Sequence, residues 1–170
     1  MNQFSIGVTK LLRDPASPLA FRMEGYIEGA FVSFSRVEPD DLVTASGVVE
    51  AVHQGLMVTC DISAKWVGSC VRCLEEARGR IECSLRELFE HEGSENEECY
   101  RYSGDVLDLS EMVQDALVLE LPAVPLCKLD CLGLCSVCGG NKNEVPCACE
   151  DAVIDPRWSK LDTLRDGLGS

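Results

Sequence analysis

The sequence predicts an α+β fold, in which an antiparallel β-sheet or partly closed barrel carries one packed helix and is followed by a cysteine-rich segment and a short terminal helix. Three observations carry this prediction. Short alternations of apolar and polar residues fill the first 90 positions, one stretch with helical spacing follows, and six cysteines then crowd into positions 127–149. We therefore predict a β-rich domain with its closing helix over residues 1–121 and a cysteine-rich segment with its C-terminal helix over residues 122–170.

The strand prediction depends on where the apolar alternation begins and where turn-forming residues interrupt it. The predicted strands cover residues 3–8, 19–27, 31–37, 42–52, 56–67 and 79–90. Glycine and proline residues separate the early strands, and His53-Gln-Gly55 predicts a hairpin turn between two later ones. In the last strand, Ile81, Cys83 and Leu85 fall on one face and polar residues on the other, so we expect one buried face.

The helix that closes the sheet is predicted from a change to three- and four-residue apolar spacing. A further short strand, Cys99-Tyr-Arg-Tyr102, comes before it. The helix opens with Asp108 or Ser110 as its N-cap and ends before Pro122. Its apolar face is expected to pack on the sheet and consists of Leu109, Met112, Val113, Ala116 and Leu117.

A second, C-terminal helix is predicted from Asp155 as N-cap with proline in the first helical position. Trp158 lies on its apolar face, which is expected to fold back on the sheet or to dock in a partner's groove. Arg157 and Lys160 make it the most basic element of the chain.

The cysteines carry the clearest functional signal. Six of the eleven follow the pattern CxxxCxxxCxxCx8CxC, and within it Cys135-Ser-Val-Cys138-Gly-Gly is typical of a turn that wraps a tetrahedral metal. Two thiolates two residues apart can both reach one ion, and Cys147 and Cys149 complete four sulfur ligands. We predict a structural Zn²⁺ site at these four cysteines and therefore a zinc-ribbon-like segment. An iron–sulfur site and unmetallated or redox thiols are the alternatives.

A separate CxxC motif, Cys70-Val-Arg-Cys73, falls in the turn between two predicted strands. Half a zinc site, a redox pair and two ordinary thiols are all compatible with this motif alone. A redox pair normally lies at a helix N-terminus, where the helix dipole lowers a thiol pKa, and a turn between strands does not provide that environment.

The composition favours a protein partner over broad contact with nucleic acid. The formal net charge is −14, from 29 acidic and 15 basic residues, whereas phosphate binding needs clustered Lys and Arg. The sequence contains no run of 18 apolar residues, and its N-terminus lacks the features of an export signal. We expect a cytoplasmic protein with reduced cysteines and no membrane contact.

We do not expect catalysis or a small-molecule substrate. A cysteine nucleophile needs a base, and the two histidines, His53 and His91, lie in no recognisable catalytic motif. The chain has no phosphate-binding P-loop, no deaminase HxE signature and no GxSxG elbow. Thiol–disulfide exchange through Cys70 and Cys73 is the enzymatic alternative.

Several short motifs, taken together, resemble the YceD family of large ribosomal RNA subunit accumulation proteins. They run in the order Cys70-Val-Arg-Cys73-Leu74, Asp108-Leu109, Leu121-Pro122, Pro125-Leu-Cys127, Asp130 to Asn141, Cys147-Ala-Cys149 and Asp155-Pro-Arg157. The resemblance covers roughly residues 68–165. It departs from the family pattern at Ser136 and Lys142, neither of which is a metal ligand.

The resemblance implies a non-enzymatic factor that supports synthesis, processing or stability of large-subunit ribosomal RNA. Its expected partner is a ribosomal precursor particle or a basic ribosomal protein, with local RNA contact through Lys142, Arg157, Trp158 and Lys160 as a second hypothesis. A zinc-containing adaptor or transcription-related module remains an alternative function. We add Cys70, Cys73, Cys127 and Cys131 as a second metal set or as alternative ligands.

Overall fold

The computed structural model describes residues 3–92 and 99–149. Its strands are β1 (Ser5–Gly7), β2 (Leu19–Gly25), β3 (Phe31–Val32), β4 (Ser35–Arg36), β5 (Val43–Val52), β6 (Gly55–Ser69), β7 (Glu76–His91), β8 (Tyr100–Tyr102) and β9 (Val106–Asp108). Its helices are α1 (Thr9–Arg13) and α2 (Ser110–Glu120). The helix predicted from Asp155, with Arg157, Trp158 and Lys160, lies outside the described residues.

The long strand β6 is the centre of the main sheet. It pairs antiparallel with β7 along its whole length, from Leu56 opposite Phe89 to Ser69 opposite Glu76. On its other side, β6 pairs with β5 along residues 55–63 and with β4 at residues 67–68. Strand β5 pairs in turn with β2, and β4 forms a short hairpin with β3. The sheet is therefore antiparallel apart from β8, which runs parallel to β7, and it is not closed into a barrel.

One face of this sheet forms the core, as the alternating pattern predicts. Val43, Val58 and Ile62 are fully covered there, and Ile81, Cys83 and Leu85 face the same cluster. The helix α2 covers this face with the predicted apolar residues Leu109, Met112, Val113 and Leu117 buried and Ala116 packed at the edge. Burial of each large side chain contributes about 1.5–3 kcal/mol, so this core is substantial without any metal.

The structure differs from the local sequence analysis in three places. The predicted strand 31–37 is a tight hairpin, because Ser33 takes a positive φ of 25° and reverses the chain between β3 and β4. The sequence pattern missed α1 and β9, which are short and are fixed by long-range contacts, with Leu11 buried and β9 paired with β1. Ser110 does not cap α2, since its hydroxyl is buried without a hydrogen-bond partner and Asp108 instead accepts a bond from the Ser110 N–H at 2.9 Å.

The tryptophan Trp66 connects the core to the cysteine-rich end of the molecule. It packs against both the main cluster and a small second cluster that contains Cys70, Cys73 and Cys131. Gly79 lies directly across from it on β7, and a Cβ atom there would approach the indole to 2.6 Å. Glycine at this position therefore lets the ring lie flat against the sheet. None of the described helices is long and apolar enough to cross a membrane.

Candidate metal centre

The first CxxC motif forms the tight turn that joins β6 to β7, as its position between strands predicts. The N–H of Cys70 donates to the carbonyl oxygen of Glu75 at 2.8 Å, and the N–H of Leu74 donates back to the carbonyl of Cys70 at 2.9 Å. Leu74 has a φ of 64°, in the left-handed region. We call residues 70–75 the first cysteine turn.

The second CxxC motif repeats this turn almost bond for bond. The N–H of Cys135 donates to the carbonyl of Gly140 at 2.8 Å, and the N–H of Gly139 donates to the carbonyl of Cys135 at 2.9 Å. Gly139 has a φ of 72° and takes the place of Leu74. Residues 135–140 are the second cysteine turn. Both turns place their two thiols on the same side of a closed loop, which is what a shared metal ion requires.

Each turn contributes half of a four-cysteine group. The inner cysteine group consists of Cys70, Cys73, Cys127 and Cys131, and the outer cysteine group of Cys135, Cys138, Cys147 and Cys149. Within each group all four sulfur atoms lie within 4.8 Å of one another. These are the two ligand sets named from the sequence, and either group could hold a metal ion.

The sulfur–sulfur distances fit a single tetrahedral metal. In the inner group the sulfurs of Cys70 and Cys131 lie 3.8 Å apart, and those of Cys73 and Cys127 lie 3.5 Å apart. In the outer group the Cys147 sulfur lies 3.4 Å from that of Cys135 and 3.5 Å from that of Cys138. Four sulfurs at about 2.3 Å from one zinc ion would lie about 3.8 Å apart. A disulfide would need a sulfur–sulfur distance of about 2.05 Å, and none of the eleven cysteines forms one. A polynuclear iron–sulfur cluster would hold its ligand sulfurs much farther apart, since several irons lie between them.

The pKa is lowered for Cys70 and Cys131 in the inner group and for Cys135 in the outer group, which favours ionisation of these three thiols. Burial raises the pKa of Cys70, but backbone N–H groups, that of Cys127 foremost, donate to its sulfur and lower the pKa to about 6. The backbone N–H of Cys138 has the largest part in lowering the pKa of Cys135 to about 6. Thiolates are the form that binds metal, so both turns prepare a ligand before an ion arrives.

Two other thiols, Cys127 and Cys149, show why each group needs a cation. The contact with Cys73 raises the pKa of Cys127 to about 12, and the contact with Cys147 does the same for Cys149. Each added thiolate is repelled by the one already formed a few ångströms away. A divalent cation at the centre would remove this repulsion and allow all four thiols to ionise.

The comparison with protein families agrees with these motifs. The family model of the large ribosomal RNA subunit accumulation protein YceD matches residues 58–165, which include both cysteine groups. The chain belongs to the YceD family. The family's name indicates a role in the accumulation of large-subunit ribosomal RNA.

Mycobacterial proteins are similar to this YceD chain. An uncharacterized protein of Mycobacterium tuberculosis is 42% identical over 135 residues, covering 69% of this chain and 63% of the relative. An uncharacterized protein of Mycobacterium leprae is 34% identical over 122 residues, covering 68% of this chain and 56% of the relative. The YceD chain therefore spans somewhat more than half the length of these relatives. No solved structure matches it significantly.

The inner cysteine group of this YceD protein lies between its two predicted parts. Cys70 and Cys73 belong to the sheet hairpin, whereas Cys127 and Cys131 follow α2 in the cysteine-rich segment. Three of the four are buried, and only Cys127 is exposed. Further bonds hold the segment in place, among them the N–H of Val71 to the carbonyl of Pro125 at 3.0 Å. A metal here would join the segment to the sheet.

The outer cysteine group is local and more open. Its four ligands come from 15 consecutive positions, 135–149, and only Cys135 is buried. The N–H of Val137 donates to the Cys135 sulfur and the N–H of Cys149 to the Cys147 sulfur, each at 3.4 Å. The sequence favoured this group as the primary site, but the inner group has the greater burial and the longer-range connections.

Asn143 supports the inner group and was missed in the sequence. Its side-chain N–H donates to the Cys131 sulfur at 3.3 Å and to the Asn141 side-chain oxygen at 2.8 Å. Its own side-chain oxygen accepts the N–H of Leu132 at 2.9 Å. Asn143 thus lies between two outer ligands in sequence but contacts an inner ligand. The signal was the Asn-Lys-Asn run, since asparagines readily bond to nearby backbone in turns.

Arg72 is a second contact that the sequence did not reveal. Its guanidinium donates to the carbonyl of Cys131 at 2.9 Å, and its own carbonyl accepts the N–H of Leu134 at 3.0 Å. Lys142, the described member of the predicted RNA-contact set, is half-buried, and its backbone N–H donates to Gly133 at 3.0 Å. The Arg72 guanidinium and the Lys142 backbone therefore help to hold the segment together.

Proposed function

We propose that this YceD protein is a non-catalytic, zinc-stabilised factor that supports synthesis, processing or stability of large-subunit ribosomal RNA. The observation that carries the proposal is family membership across the segment that contains both cysteine groups. Each group supplies four thiols and no other ligand type, and closed four-sulfur sites of this kind are the usual structural zinc sites. Zinc is therefore the cofactor we assign to both groups.

The role of the zinc ions in this proposal is to order residues 126–149. The segment has few buried apolar side chains of its own, with only Leu126 and Leu134 packed against the second cluster beside Trp66. Structural zinc supplies about 10–16 kcal/mol of apparent free energy in small zinc-finger peptides. That is enough to fix a loop-rich segment that hydrophobic burial alone would leave unfolded.

The proposed partner is a basic ribosomal protein, presented alone or on a precursor particle. A net charge of −14 suits such a partner and opposes broad contact with phosphates. The first cysteine turn and residues 124–149 also carry six large apolar side chains that are more than half exposed: Leu74, Val124, Leu129, Leu132, Val137 and Val145. Apolar side chains on a rigid, metal-held platform are suited to contact with protein more than with RNA backbone.

Local RNA contact is the second candidate, through Lys142 with Arg157, Trp158 and Lys160. The observation that favours it is that three basic residues, Arg157, Lys160 and Arg165, lie close together in the sequence of an acidic chain. Arg72 is a weaker candidate for RNA contact, because its guanidinium already donates to the carbonyl of Cys131. We rank this contact below the protein partner.

A structural role for the thiols fits their surroundings better than catalysis. Cys70 and Cys73 each contact a further cysteine, Cys131 and Cys127 respectively, and they lie in a turn between strands. His53 and His91 are both exposed, and the His91 ring bonds to the neighbouring carbonyl of Glu92. A catalytic base would need to reach a thiol.

The proposed function is tested by depleting the protein and restoring it with variants. Depletion is expected to lower large-subunit ribosomal RNA relative to small-subunit ribosomal RNA, and wild-type protein is expected to restore the ratio. The Cys127→Ser, Cys131→Ser double variant should fail to restore it, while the matched control Cys83→Ala, outside both groups, should succeed. An unchanged ratio after depletion would contradict the function.

The partner is tested by crosslinking followed by gradient sedimentation. We expect the chain to travel with large-subunit precursors and to crosslink to a basic protein. Neutralising Lys142, Arg157 and Lys160 together should then leave the association intact. Loss of association in that triple variant, together with loss of binding to naked RNA, would replace the protein partner with direct RNA contact.

A further inference from the structure

The strand β2 is an open edge of the main sheet. It spans seven residues, Leu19–Gly25, and pairs only with β5 among the described strands. Its outer backbone groups therefore face away from the sheet from Leu19 to Glu24, whereas Gln3 lies against its last residue, Gly25. An unpaired edge of this kind is a template for another strand, and natural proteins usually protect it with proline, a bulge or repelling charges.

The edge strand β2 has none of these protections. It contains no proline, and its pairing with β5 is regular from Leu19 opposite Val49 to Gly25 opposite Val43. Its two charged residues, Arg22 and Glu24, are of opposite sign and lie on the exposed face. A guanidinium nitrogen of Arg22 is 3.6 Å from a carboxylate oxygen of Glu24. Their side chains are 74% and 49% exposed, so they are accessible to another molecule. The edge therefore carries no net charge that would repel a second copy of itself.

We propose that β2 is a homodimer interface, in which it pairs antiparallel with β2 of a second copy about a two-fold axis at Met23. In this register Arg22 lies directly opposite Glu24 of the second copy, and Glu24 opposite its Arg22. Met23, which is half-buried in the monomer, faces its own symmetry mate. The two sheets then become one continuous sheet with no open edge at β2, and a homodimer of this kind is closed by symmetry.

The charge pattern selects this register over its neighbours. A two-fold axis perpendicular to the sheet keeps each residue opposite one on the same face, so the register can shift only by centring the axis on another residue. Centring on Arg22 would place the two Arg22 side chains opposite each other, and centring on Glu24 would oppose the two Glu24 side chains. Like charges directly opposite destabilise strand pairs, whereas opposite charges stabilise them.

The test is sedimentation equilibrium of the zinc-loaded protein over a range of concentrations, with charge exchanges at the two positions. We expect wild type to dimerise reversibly. Arg22→Glu and Glu24→Arg should each weaken the dimer on the order of tenfold, because each creates two like-charge pairs. The double exchange Arg22→Glu, Glu24→Arg should restore wild-type affinity. Since both side chains are exposed, thermal unfolding should show all three variants folded.

The Glu24→Arg variant also tests the register. If the axis lay at Arg22, position 24 would face Ala20, and this change would leave the affinity unaltered. A wild-type protein that stays monomeric at every concentration would overturn the proposal. A dimer whose affinity ignores both single exchanges would also overturn it, by placing the interface elsewhere.

Discussion

Leu74 and Gly139 take the same left-handed backbone conformation at the same place in two copies of one cysteine turn. Their φ angles are 64° and 72°, and each N–H donates at 2.9 Å to the carbonyl of the first cysteine of its turn. Glycine adopts this conformation freely, whereas a leucine there costs roughly 1–2 kcal/mol. The first cysteine turn therefore holds a strained residue where the second holds an unstrained one.

Replacing Leu74 by glycine should stabilise the protein. The Leu74 side chain is 68% exposed, so little packing is lost when it is removed. We expect Leu74→Gly to be about 1 kcal/mol more stable than Leu74→Ala, which removes the same side chain but keeps the strain. Urea unfolding at saturating zinc measures the difference. Equal stability of the two variants would show that the strain is absent.

Asn143→Ala should weaken metal binding in the inner cysteine group, although Asn143 is not a ligand. The change removes the N–H that donates to the Cys131 sulfur and leaves the N–H of Leu132 without its side-chain acceptor. Loss of such a supporting contact typically lowers metal affinity by about 10- to 100-fold. Competition with a chromophoric chelator measures this affinity. The neighbouring Lys142→Ala is the control, and an equal effect of both variants would argue against a specific role for Asn143.

Chelation should loosen the cysteine-rich segment while the sheet stays folded. Among the described residues, the main core contains no member of either cysteine group, and Trp66 alone packs against both clusters. Hydrogen exchange after zinc removal should therefore rise over residues 126–149 and in the first cysteine turn, but not in β5 or in the middle of β6. Simultaneous loss of protection throughout the sheet would contradict a local role for the metal.

Cys60 should be the least reactive thiol of the chelated protein. It is buried in the main core, and burial raises its pKa to about 12 from an ordinary value near 9. At pH 8 iodoacetamide should modify the released metal ligands first and leave Cys60 intact, since the thiolate is the nucleophile. Mass spectrometry of peptides checks the order, and early modification of Cys60 would contradict its burial.

The raised pKa of Cys60 predicts that the protein loses stability at high pH. Because the pKa of Cys60 is raised in the folded protein, its contribution to stability is complete below about pH 9. It is then lost as the pH rises from 9 towards 12, since only the unfolded chain can ionise the thiol easily. Cys60→Ala should unfold with a weaker dependence on pH across this range, and an unchanged dependence would contradict the assignment.

The parts of the fold that follow from local pattern were predictable, and those fixed by distant contacts were not. The main strands, the His53-Gln-Gly55 turn and the buried face of α2 each have a period or a turn signal in the sequence. The helix α1 and strand β9 have none, because five or three residues are too few to show a period. The reversal at Ser33 was also hidden, since serine rarely takes a positive φ.

The two cysteine groups also differ in how far local sequence pattern predicts them. The spacing of Cys135, Cys138, Cys147 and Cys149 indicates a single site, because the four lie close in sequence. Pairing of Cys70 and Cys73 with cysteines more than 50 positions away is set by the fold, which brings the hairpin turn against the segment that follows α2. Asn143 could not be assigned for the same reason, since its partner Cys131 belongs to the other group.

Native mass spectrometry of the protein purified from cells with its metal would show whether both cysteine groups bind zinc. We predict two zinc ions per chain, with one lost in Cys138→Ser, Cys147→Ser and the other in Cys127→Ser, Cys131→Ser. The first loss should leave the inner group loaded, because its four ligands are untouched. A wild-type protein with no bound metal would contradict zinc binding by the two cysteine groups. Full zinc content in either double variant would contradict it as well.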